Sequence, residues 1–173
     1  MNRRRLLGVV VAVAVIAAMV AAAQAWAGAT VFRFHFEQPE VFETSLAECL
    51  PADLVGLSTG VEITDGQAVE TPGGGSNVQG TTAFPYRVDF LDGRYVLGDG
   101  IEHFGFHFSR GETVVIKSVV KEARTLYDAN GQPIGSGTIH ANSHTTFHDA
   151  NGNGLPDEGE ITASVDKFFF TCN

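Results

Sequence analysis

Apolar and polar positions alternate along most of this chain after residue 30. Val31-Phe32-Arg33-Phe34-His35-Phe36 puts three phenylalanines on one face and His35 on the other. His103-Phe104-Gly105-Phe106-His107-Phe108 repeats that arrangement. Residues 57–63 alternate, and Phe84, Tyr86, Val88 and Phe90 are spaced by two. Residues 114–127 are rich in β-branched side chains, and 139–148 and 161–172 complete the set. Successive side chains of a strand point to opposite faces, so each run predicts a half-buried strand.

Turn signals separate these runs. Thr71-Pro72-Gly73-Gly74-Gly75-Ser76-Asn77 predicts a flexible loop tip, and Asp92-Gly93 and Asp128-Ala129-Asn130-Gly131 predict tight turns. Only residues 45–55 have room for a short helix, and Pro51 limits it. About seven or eight sequential strands with short links predict an all-β, antiparallel meander. Closure into an up-and-down β-barrel protects its edges most simply, with a β-sandwich as the alternative. Neither an internal repeat nor a dividing linker is visible. The 20 glycines fall at turns and within strands. In strands they permit the bends and bulges of a strongly coiled sheet.

The start of the chain has a different character. Arg3, Arg4 and Arg5 precede an uncharged apolar run over residues 6–23, and Ala25-Trp26-Ala27 offers a cleavage site. Residues 1–27 therefore read as a signal peptide, and 28–173 as a single secreted β domain. The general secretory route is expected rather than the twin-arginine one. An uncleaved anchor is the alternative, since the run is at the lower limit for a bilayer span. The net charge is −9, from 11 basic and 20 acidic residues. Cleavage removes three of the arginines and makes it more negative. Such a surface disfavours nucleic acid and anionic lipid and suits divalent counter-ions. The two cysteines, Cys49 and Cys172, are expected to pair as a disulfide in an oxidising compartment.

One segment has a specific chemical meaning. Asp149-Ala150-Asn151-Gly152-Asn153-Gly154-Leu155-Pro156-Asp157-Glu158-Gly159-Glu160 matches the calcium-loop pattern D-x-[DN]-x-[DN]-G-x5-E. Ca²⁺ takes about six to eight oxygen ligands. The side chains of Asp149, Asn151, Asn153 and Asp157, the Leu155 carbonyl and Glu160 are the expected set. Pro156 stands where paired helix–loop–helix sites carry an aliphatic residue, and both flanks alternate like strands. The loop is therefore not a standard EF-hand; it resembles the solitary calcium loops of secreted bacterial repeat and dockerin-type modules. A long solvated turn is the alternative. Asp128-Ala129-Asn130-Gly131 begins in the same way but lacks the later acids, and reads as a turn alone.

Other motifs carry less. His103 and His107 share a face, as do His140, His144 and His148. Strand residues i and i+4 lie about 13 Å apart, while metal–nitrogen bonds are about 2 Å. One metal would need histidines from neighbouring strands, and a row of polar surface or lumen histidines is the plainer reading. Gly56-Leu57-Ser58-Thr59-Gly60 matches the hydrolase elbow G-x-S-x-G, but that motif needs a strand–turn–helix and this one lies within an alternating run. The phenylalanine stripes are core, or the lining of a lumen for an apolar ligand.

The final run Ala163-Ser164-Val165-Asp166-Lys167-Phe168-Phe169-Phe170-Thr171-Cys172 resembles the ending of a family of secreted actinomycete proteins. His144-Thr145-Thr146-Phe147-His148 is similar to that family's H-E-T-F-H strand, with Thr145 in place of Glu. The resemblance implies a small exported β-barrel and no assigned activity; the 149–160 loop is longer than that family's turn. The function expected is binding of a small apolar ligand or a surface partner, with a Ca²⁺-stabilised hairpin. A barrel enzyme of cyclase or isomerase type, resembling allene oxide cyclase, is the alternative. A structural envelope protein is the third.

Overall fold

Period-two patterning is realised as one antiparallel sheet in the computed structural model, which describes residues 29–45, 55–109, 113–150, 156–157 and 159–173. The expected signal peptide, nearly all of the expected short helix, Cys49, Asn151, Asn153 and Leu155 lie outside the described residues. The strands are β1 (Thr30–Ser45), β2 (Val55–Glu70), β3 (Ser76–Ala83), β4 (Tyr86–Phe90), β5 (Tyr95–Phe108), β6 (Thr113–Tyr127), β7 (Pro133–His148) and β8 (Ile161–Cys172). They follow the order β1-β2-β3-β5-β6-β7-β8, with β4 also between β2 and β5.

β3 and β4 act as one strand broken at Phe84-Pro85. Proline has no N–H to give a ladder. The pairing is bridged by Phe84 N–H donating to the Gly100 carbonyl at 2.9 Å. The alternation does not announce β3, whose first residues read as loop. Its apolar residues are only Val78 and Ala83, and it is held by ladders to β2 and β5.

One face of the sheet carries the core. Val88, Val96 and Phe147 are fully buried. Tyr86, Val88, Phe90, Val96 and Leu126 form one cluster. Ala68, Val78 and Phe106 form a second, against which Phe34, Phe36, Phe104, Phe108 and Ile116 pack. The two phenylalanine stripes therefore share the inner face, as the alternation predicts. Rings lie over glycines on the adjacent strand. Phe34 is in register with Gly66, Phe104 with Gly80 and Tyr86 with Gly98. A Cβ on Gly98 would stand 2.1 Å from Tyr86 Cζ, and one on Gly66 2.3 Å from Phe34 Cζ. These glycines leave room for aromatic rings to lie flat on the sheet.

The inner face is not covered to its edges. Among the described residues no ladder joins β1 to β8, and every residue of β8 is exposed. Phe168 and Phe170 pair with Ala141 and Ile139 on the core side of β7. They stack at 6.3 Å and remain 43% and 44% exposed. Phe32, on the core side of β1, is 38% exposed.

Candidate functional site

The β7–β8 hairpin carries the calcium-type loop. His148 N–H donates to the Glu160 carbonyl at 3.0 Å, and Glu160 N–H to the Asp157 carbonyl at 3.1 Å. The Glu160 side chain turns inward: its Oε1 accepts Ala150 N–H at 3.0 Å. Its Oε2 is buried and accepts no hydrogen bond. Asp149 Oδ1, at the other end of the loop, is buried as well. A buried carboxylate oxygen without a donor is costly unless a cation meets it, so the residues present fit an ion at the loop mouth. The strand flanks agree with the sequence reading. Among the described residues no group of three or more His, Cys, Asp or Glu is placed to hold a metal; Asn151, Asn153 and Leu155 lie outside that set.

The Asp128 turn makes an informative contrast. Asp128 Oδ1 accepts Asn130 N–H at 2.9 Å and Gln132 N–H at 2.8 Å. Those backbone donors, Gln132 first, hold its carboxyl below the usual carboxylate range. Gly131 takes the left-handed φ of 80° that closes the turn. This carboxylate is consumed by its own backbone, which is what a simple turn does.

A second polar group lies on the inner face, among apolar side chains. Tyr86 Oη donates to Glu122 Oε1, and Arg124 Nη1 lies 3.9 Å from the same oxygen. Glu122 and Arg124 are only 6% and 4% exposed. One row further along, Ser118 Oγ donates to Glu102 Oε1, beside the Thr64–Thr82 hydroxyl pair at 2.9 Å. The pattern reading missed this group. Its signal was present: Glu122 and Arg124 are in phase with Val114, Ile116, Val120 and Leu126, so they had to point inward with them.

The histidines face outward. His35 is held by Asp65 at 2.8 Å and Glu37 at 3.4 Å. The Asp65 hydrogen bond, then that of Glu37, raises its pKa above the usual imidazole value. His103 is bonded to Thr81 at 3.1 Å. His107 and His144 pair in register with Val115 and Lys117. Ser58, of the G-x-S-x-G match, is buried within β2 between Phe42 and Val88. It is a packed strand residue there, with neither the turn nor the exposure of a nucleophile. Cys172, at the end of β8, is disulfide-bonded; its expected partner, Cys49, lies outside the described residues. Compared with known proteins, the chain matches no family model, no curated protein and no solved structure.

Proposed function

We propose that this chain is an exported binding module for a small apolar ligand, an up-and-down β-barrel in type, braced by Ca²⁺ at its β7–β8 hairpin. The observation that carries the reading is the uncovered apolar rim of the inner face. Phe32, Phe168 and Phe170 stand on the core side of the two outermost strands, yet each is more than a third exposed. Apolar side chains on a core face normally lose that area to packing. A ligand laid along them would complete the burial. The resemblance to small secreted actinomycete barrels, the signal-like leader and a mature terminus at Gly28 belong to the same reading.

The test is a titration with the neutral fluorescent probe N-phenyl-1-naphthylamine. Saturable binding is expected for the wild type. The double variant Phe168→Ser/Phe170→Ser should bind at least about tenfold more weakly, equivalent to about 1.4 kcal/mol. Its melting should barely change, because exposed positions contribute little to stability. Absence of saturable binding, or equal binding by the variant, would sink the reading. An enzyme of cyclase or isomerase type is the second reading. The buried Tyr86–Glu122–Arg124 group favours it, since it sets an acid, a base and a cation on one face.

Calcium is part of the same proposal. Asp149, Asp157 and Glu160, with Asn151, Asn153 and the Leu155 carbonyl, would hold the ion. Its chemistry here is structural: it neutralises crowded carboxylates and ties the two strand ends together. A lone extracellular-type loop suggests a dissociation constant of about 10⁻⁴–10⁻³ M. At a hundredfold excess over that constant the folded state gains about 2.7 kcal/mol. Melting should therefore rise with added Ca²⁺, and Asp149→Ala should abolish the rise. Unchanged melting together with a flat calorimetric titration would leave only a long acidic turn.

A further inference from the structure

The outer face of the sheet carries a hollow that the apolar-ligand reading does not use. Its volume is about 460 Å³, and its lining on β5 includes His103, Gly105 and His107. Asn77 and Gln79 flank it from β3, and Lys117 from β6. The registers place these residues side by side: Asn77 opposite His107, Gln79 opposite Gly105 and Gly105 opposite Lys117. His144 follows next to Lys117 on β7.

Three observations point to an anion. The first is charge. From β3 to β7, at the heights of residues 101–107 of β5, no outward position carries Asp or Glu. The same surface holds Lys117 and Lys121, on a chain of net charge −9. Asp65 of β2, outward opposite Thr81, is held by His35 at 2.8 Å. Only this four-strand stretch of an acidic protein's outer face therefore lacks carboxylates, and a cationic hollow attracts what the rest of the surface repels. The second is hydrogen bonding. Among the described residues, Asn77, Gln79, His107 and Lys117 make no side-chain hydrogen bond or ion pair, so their donors point to solvent.

The third is Gly105 itself. The inner-face glycines beneath Phe34, Phe104 and Tyr86 make room for rings, but a Cβ on Gly105 would meet nothing nearer than the Val78 carbonyl at 3.9 Å. Packing does not require glycine there, and glycine weakens a strand interior. A glycine that packing does not need, in the lining of a hollow, suits a ligand that approaches the backbone closely.

We infer that this hollow binds a small oxyanion, a carboxylate or phosphate group carried by a solute, with Lys117 as the charge and Asn77, Gln79 and the two histidines as neutral donors. The experiment is a two-dimensional ¹H–¹⁵N NMR titration of the exported protein with glucuronate, inorganic phosphate and, as the neutral control, glucose. Saturable shifts at Gly105, His107 and Lys117 are expected with an oxyanion. Phosphate alone would assign a tetrahedral anion, and glucuronate alone a carboxylate. Lys117→Gln should weaken binding at least tenfold. Gly105→Val should abolish it while leaving melting unchanged or raised, because the added side chain enters open space. The inference is overturned by the absence of shifts with both oxyanions, by equal shifts with glucose, or by binding that survives both substitutions.

Discussion

Replacing Gly98 with alanine is expected to lower the melting temperature by roughly 10–15 °C. The new Cβ would lie 2.1 Å from Tyr86 Cζ and 2.5 Å from its Oη, far inside contact distance. The ring has nowhere to go. It is packed with Val88, Val96 and Leu126, and its hydroxyl donates to the buried Glu122. Overpacking a core costs about 1–3 kcal/mol. Displacing a hydrogen bond to a charged group costs about 1.5–3 kcal/mol more. At about 2–4 °C per kcal/mol for a domain of this size, the middle of these ranges, a loss of about 4 kcal/mol at about 3 °C each, gives the stated fall. Adding Tyr86→Ala should make Gly98→Ala nearly harmless, since the clash is with that ring, and the double-mutant cycle isolates the coupling. A fall of under 2 °C in Gly98→Ala, by calorimetry, would contradict this account.

How much of the fold was legible depended on how strongly each strand alternates. The stripes Phe32-Phe34-Phe36 and Phe104-Phe106-Phe108 announce their face because each ring must be buried against something. β3 does not announce itself: its side chains are mostly small or polar, and its conformation is set by the strands on either side. β8 misleads in the opposite sense. Its sequence alternates well enough to predict a half-buried strand, yet all its positions are exposed, because burial depends on a covering layer that no local pattern encodes.

The sites divide along the same line. Contiguous chemistry, such as the 149–160 loop, is visible in the sequence. The outer hollow is assembled by cross-strand register, from residues about 40 positions apart in the chain. Its signal is what is missing from the outward positions of four strands, and single runs do not reveal that. The strand glycines read as sites of bends and bulges, whereas Gly66, Gly80 and Gly98 make room for aromatic rings and the register shifts fall at Leu126/Tyr127 and Thr146/Phe147. Only coordinates separate those beneath rings from Gly105, which lies beneath nothing.

The covalent tie at Cys172 is expected to have the largest effect of all. Among the described residues β8 forms one ladder, to β7, extended at its end by the reciprocal Ser136–Asn173 hydrogen bonds at 3.0 Å. With every side chain exposed, the strand gains little from burial, so its end needs another hold. Cys172 is disulfide-bonded, and the proposed partner is Cys49. That bridge closes a loop of more than a hundred residues, which in the chain-entropy model stabilises by about 4–5 kcal/mol. Reduction, or Cys172→Ser, should lower melting by roughly 10–20 °C. The loss should begin locally, with amide exchange accelerating in β8 before β5, since the inner side of β5 is core and β8 is not. Non-reducing peptide mapping should recover one cross-linked peptide containing Cys49 and Cys172. Two free thiols in the exported protein, or melting indifferent to reductant, would refute the pairing. If reduction instead released the whole sheet at once, β8 would be integral to the core, and the exposed Phe168–Phe170 rim could not be the independent ligand seat proposed above.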